Sequence, residues 1–200
     1  AMIDHKRPRG QLGHDVLSLL LLAHDDGGKL SDAELVGHVA LLFGAAHLTT
    51  AHTLSWTLFL LAEHPAIMRQ VWNEITQEIA GDAPTLAEIP RLPIMERVIK
   101  ESMRILPASG YSQRMCAEPV ELGPLRLSRG TAVVFSQFIT HHIAELYPEP
   151  DLFRPDRWLT ISPSPYAYLP FGAGPRMCIG APLAMVTLKT ALPTILKRYR

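Results

Sequence analysis

The stretch Phe171-Gly172-Ala173-Gly174-Pro175-Arg176-Met177-Cys178-Ile179-Gly180 decides how the rest of the chain is read. A metal-bound thiolate needs backbone that can come close to a flat ligand, and glycine removes the side chains that would block the approach. The sulfur also needs N–H donors and positive potential nearby to stay ionised. Pro182 fits the first turn of a helix opening at Ala181, so that helix points the positive end of its dipole towards Cys178. Arg176 can pair with an anionic group, and Phe171 can pack beside the loop and limit water. The alternative is a glycine turn with an incidental buried cysteine. It accounts less well for Phe, Gly, Arg, Cys and Gly at these intervals.

Outward from the loop, the chain after it reads as a helix over 181–200, with Pro193 expected to kink it. Before it, prolines crowd residues 143–170, which predicts an irregular coil held by side chains rather than a backbone ladder. Val120–Leu122, Leu125–Leu127 and Thr131–Phe135 are short apolar runs separated by Gly123-Pro124 and Arg129-Gly130, the pattern of a small antiparallel sheet of hairpins. Helices are expected over 93–106, closed by Pro107, and over 66–80, opened by Pro65. Thr85 caps a short piece containing Glu88. Ser31 with Glu34 forms a capping box for a long helix over about 31–63, which His64-Pro65 ends. A short apolar helix covers Asp15–His24. The fold class is therefore mainly α with a minor antiparallel sheet.

Lys plus Arg and Asp plus Glu are balanced at 19 each, which lacks the basic footprint of a nucleic-acid binder. Two cysteines, Cys116 and Cys178, are too few for a disulfide scaffold of this size and favour a reducing, cytoplasmic setting. Residues 1–10 are polar and basic with no apolar stretch beside them, unlike a signal peptide. Leu35–Ala62 carries no Asp, Glu, Lys or Arg and is long enough to cross a bilayer. Its three histidines, four threonines and Ser55 favour a helix buried in a protein core, not a membrane span.

Phe171, Gly174, Arg176, Cys178 and Gly180 match every fixed position of F-x-x-G-x-R-x-C-x-G. In this the chain resembles the cytochrome P-450 family. The resemblance runs in order along the whole chain, as one partial domain, 1–200, equivalent to the C-terminal half of a family member. It implies Cys178 as axial ligand of haem b, with Phe171, Gly172, Gly174, Arg176 and Gly180 around the cofactor and Arg114 on a propionate, an exposed arginine at a strand start being the plain alternative for Arg114. Glu101 and Arg104 match the family's E-x-x-R pair, which joins an arginine of the later coil; Arg157 is that arginine, with Arg154 its rival. A carboxylate between two guanidinium forks can fix a coil lacking its own ladder, a structural role. A histidine at 141 or 142 is also structural in the family, and neighbours pointing in different directions do not share a metal.

Across the haem's distal face the family has a helix with an acid followed by an oxygen-handling threonine. Thr49 takes the threonine's place, but Leu48 stands where the acid is usual and Ala46 where glycine is. An ordinary helix threonine bonded to its own backbone is the plain alternative for Thr49. His47 and His52 are the nearest titratable groups. The implied activity is insertion of one atom of dioxygen into a lipophilic substrate, with electrons from a ferredoxin, flavodoxin or reductase. The missing acid keeps open a peroxygenase or isomerase on the same fold, and a half-length chain keeps open a catalytically silent haem-binding fragment.

Overall fold

The computed structural model describes residue 13, residues 15–25 and residues 28–199; for 24 and 25 it describes the backbone alone. Residues 1–10 and Arg200, the expected end of the last helix, lie outside the described residues. The chain forms two compact units, 1–48 and 49–200.

In the first unit, the Asp15 carboxylate accepts from Ser18 N at 3.1 Å and opens α1, Val16–Leu22. The helix is shorter than its apolar run, because His24–Asp25 (β1) leaves it to pair antiparallel with Gly28–Lys29 (β2). The capping box then forms: Ser31 N donates to Glu34 Oε2 at 2.8 Å and Glu34 N to Ser31 Oγ at 3.3 Å. It opens α2, Asp32–Glu63, which continues into the second unit.

The expectation that α2 is buried in a core is corrected. Thr53, Thr57, Leu60 and Leu61 are buried near its C-terminal end, but Leu41, Phe43, Leu48, Trp56 and Phe59 are exposed. By length and composition α2 could cross a membrane, and its most apolar stretch is 6% buried. Several of its polar groups are satisfied within the helix and so require no surrounding core. Thr53 Oγ1 donates to Thr49 O at 3.0 Å, Thr57 Oγ1 to Thr53 O at 2.7 Å, and His47 Nδ1 lies 2.8 Å from Phe43 O.

The second unit is organised around α4, Pro93–Ile105. Met95, Val98, Ile99 and Met103 recur at helical spacing and are buried. They share a core with Val71 and Ile75 of α3, Pro65–Glu78, and with Leu188, Leu192 and Leu196 of α6, Ala181–Arg198. Pro193 does not interrupt α6. Lys197 Nζ donates to Ile79 O and Gly81 O at 2.7 and 2.5 Å, tying the end of α6 to the end of α3.

Buried Glu74 reaches from α3 to the first turn of α4 and accepts from Ile94 N at 2.7 Å and Met95 N at 2.8 Å. These are amides that no carbonyl of α4 can satisfy. Glu74→Ala strands both and should cost on the order of 1–3 kcal/mol in urea unfolding. Burial outweighs the two amides and raises the Glu74 pKa above its ordinary value. The native state therefore holds this proton more tightly than the unfolded chain, so this group's contribution falls as pH rises through that raised value.

β3, Ser112–Met115, pairs antiparallel with β6, Ala132–Phe135, and β4, Val120–Leu122, with β5, Leu125–Leu127, around Gly123 at φ 56°. The expected single sheet is thus two ladders, and the partner of β6 is a strand with little apolar pattern. Ser136 Oγ then accepts from Ile139 N at 3.2 Å and opens a short α5, Gln137–His141.

Candidate functional site: the Cys178 loop and its buried support

The loop is a closed structure. Cys178 N donates to Phe171 O at 2.8 Å, and Gly172 N to Leu169 O at 3.1 Å. Gly172 and Gly174 hold φ of 69° and 70°, where a side chain is strained. Gly174–Arg176 makes one 3₁₀ turn, and Gly180 caps α6. Phe171 is half-buried and packs on the core, so the loop is anchored at that end. The Cys178 thiol is free and exposed at the N-terminal end of α6, beside exposed Met177 and Ile179. Arg176 is also exposed. Among the described residues no group of three His, Cys, Asp or Glu could hold a bare metal ion.

Glu101, Arg104 and Arg157 form a buried charge network between α4 and the proline-rich coil. Glu101 Oε1 accepts from Arg104 Nη2 at 2.9 Å and Arg157 Nε at 2.8 Å; its Oε2 accepts from Arg104 Nε at 3.1 Å and Trp158 Nε1 at 3.0 Å. Arg154, the rival to Arg157, gives only its backbone N to Glu101, at 3.1 Å, while its side chain pairs with Glu149. Two guanidinium groups against one carboxylate leave a surplus positive charge, and carbonyls of the irregular coil turn inward to meet it. Arg104 Nη1 donates to His141 O at 2.9 Å, and its Nη2 to Leu152 O at 3.3 Å. Arg157 takes Pro148 O at 2.8 Å, Glu149 O at 3.0 Å and Leu152 O at 3.2 Å. Glu149 is held at φ 53° as part of this arrangement.

The remaining sequence candidates stand on separate elements. Thr49 is exposed on α2, and its carbonyl accepts the Thr53 hydroxyl. Arg114 is exposed on β3; it donates to Gln113 O at 2.8 Å and lies 5.7 Å from the Phe135 ring centre. Of the adjacent histidines, His141 is buried and His142 is not. Trp158 was not expected in the network, although a tryptophan beside a buried arginine signals an N–H that needs a partner.

The chain is 39% identical to cyclooctatin synthase of Streptomyces melanosporofaciens, over 93% of this chain and 42% of that protein. It is 38% identical to cyclooctat-9-en-7-ol 5-monooxygenase of the same organism, over 100% of this chain and 44% of that protein. To pentalenene oxygenase of Streptomyces avermitilis it is 36% identical, over 93% of this chain and 42% of that protein. The fold superposes on retinoic acid bound cyanobacterial CYP120A1 with a TM-score of 0.87 at 29% identity, covering 98% of this chain and 46% of that one. The chain thus spans less than half the length of these relatives. The cytochrome P-450 family model matches residues 3–200, and the chain belongs to that family.

Proposed function

We propose that this chain is the haem-binding part of a haem-thiolate monooxygenase. The observation that carries the reading is the exposed Cys178 thiol on a glycine loop at a helix N-terminus, with Leu169, just before the loop, bonded through His141 to Arg104 of the buried Glu101 network. Membership of the family implies haem, and the residues present fit it: one sulfur donor, glycines that clear the approach, and Arg176 and Arg114 exposed for anionic groups. We assign haem b, with Cys178 as its protein ligand. Phe171 limits water behind the sulfur, and Arg176 and Arg114 orient the cofactor through its carboxylates. Thr49, exposed on α2, would hold a proton at its hydroxyl. Thiolate-ligated haem supplies the cleavage of the O–O bond.

The overall reaction consumes dioxygen, two electrons and two protons, placing one oxygen in the substrate and one in water. The electrons come singly from a ferredoxin, a flavodoxin or a reductase. The relatives' names give an alkenol (cyclooctat-9-en-7-ol) and an alkene (pentalenene) as substrates, which supports a lipophilic substrate here. With ¹⁸O₂, an electron donor and such an alkene, the whole protein should yield a product carrying one ¹⁸O atom. Product formed only with peroxide would replace this reading by a peroxygenase.

A further inference from the structure

His141 ends α5 with its side chain fully buried, and both ring nitrogens are engaged by backbone. Leu169 N lies 2.8 Å from Nε2. An amide can only donate, so Nε2 must carry a bare lone pair. The ring proton is then on Nδ1, which donates to Arg104 O at 3.2 Å. One neutral tautomer satisfies both bonds, and Arg104 returns a third through Nη1 to His141 O at 2.9 Å. The ring therefore joins the last turn of α4, where the Glu101 network is, to Leu169. From there the path reaches the ligand loop: Leu169 O takes Gly172 N, and Phe171 O takes Cys178 N.

The groups facing this ring leave no place for a second proton. The Arg104 guanidinium is cationic and adjacent, and His142 is the next residue. Tyr147 and Tyr168 pack on it with ring centres at 6.2 and 5.5 Å. Their hydroxyls already donate to Ala167 O and Lys100 O. A proton on Nε2 would set N–H against N–H at Leu169.

We propose that His141 is a positioning residue that clamps the Cys178 loop to the Glu101 helix as a neutral imidazole, and that its protonation releases the loop and sets the acid limit of thiolate ligation. Burial, with the neighbouring arginine, pushes its pKa down to about 4. The unfolded chain takes up this proton near the ordinary value of about 6.5, before the native state does. The clamp's contribution is therefore complete above that value and is lost as pH falls from there towards about 4.

The ligation part rests on the haem-thiolate reading; the clamp does not, and it can be tested without cofactor. Nitrogen-15 NMR of the chain should find the His141 proton on Nδ1 and a ring titration well below the ordinary value. Protection of the Leu169 amide should disappear over the same pH range. A proton on Nε2, or Leu169 protection unchanged while the ring titrates, overturns the clamp with no variant needed. In His141→Gln the side-chain amide offers an NH₂ donor group and an acceptor oxygen that do not titrate. Leu169 protection, and the thiolate band of the haem-loaded, carbon-monoxide-bound protein, should then persist at least one pH unit lower than in the native chain. Equal acid midpoints in the two proteins overturn the proposal. A thiolate band absent at every pH, with the clamp intact by NMR, overturns the haem-thiolate reading instead.

Discussion

Glu101→Ala is expected to destabilise the fold by about 3–5 kcal/mol, enough to unfold a domain of ordinary stability. The carboxylate is fully buried and receives four side-chain bonds from Arg104, Arg157 and Trp158, and a fifth from Arg154 N. Its removal leaves two buried guanidinium groups facing each other with only carbonyl oxygens for company. Stranding a buried charge costs far more than losing a surface pair, whose worth is below about 1 kcal/mol. Arg126–Glu121, both exposed, is the internal control, and Glu121→Ala should change little. Urea unfolding of the two variants decides the matter. A loss at Glu101 no larger than that at Glu121 would mean the network fixes geometry without holding the fold.

Arg157→Met should loosen the proline-rich coil while leaving the helical core in place. Arg157 is the bracket through which Pro148, Glu149 and Leu152 turn their carbonyls inward. Their stretch has no ladder of its own apart from the 3₁₀ turn Pro155–Leu159. The variant keeps the volume and apolar stem but removes the donors, leaving Glu101 paired with Arg104 and Trp158. Hydrogen exchange should rise over residues 143–161 by at least tenfold, with α3 and α6 protected as before. Exchange that rises equally everywhere would make Arg157 a global fold determinant. No change at all would mean the coil is held by other contacts.

What could be read from the sequence divides by range. Local chemistry was legible: the Ser31–Glu34 capping box, Pro65 opening α3, and Pro93 opening α4 all follow from residues a few positions apart. The Cys178 loop was legible because Phe171, Gly174, Arg176, Cys178 and Gly180 stand at the intervals of the family's motif within ten residues. The joining of Glu101 to Arg157, 56 residues apart, was legible only through family resemblance. Where partners are distant and carry no pattern, the sequence is silent. Ser112–Met115 has no alternation to announce a strand, and its pairing with Ala132–Phe135 is decided by what lies opposite. That His141 rather than His142 is buried depends on Leu169, 28 residues on. The exposure of α2 misled for a different reason. Polar groups that are costly in hydrocarbon point to a core, yet Thr53, Thr57 and His47 find partners one turn back along the same helix.

The proposed ligation of haem iron by the Cys178 sulfur is tested most directly by a carbon-monoxide difference spectrum. Haemin is added to the purified chain, which is then reduced and exposed to carbon monoxide beside Cys178→Ala. A strongly red-shifted Soret band that disappears in the variant is the predicted result. An unshifted band in both proteins would place the iron on another ligand and contradict the assignment of Cys178.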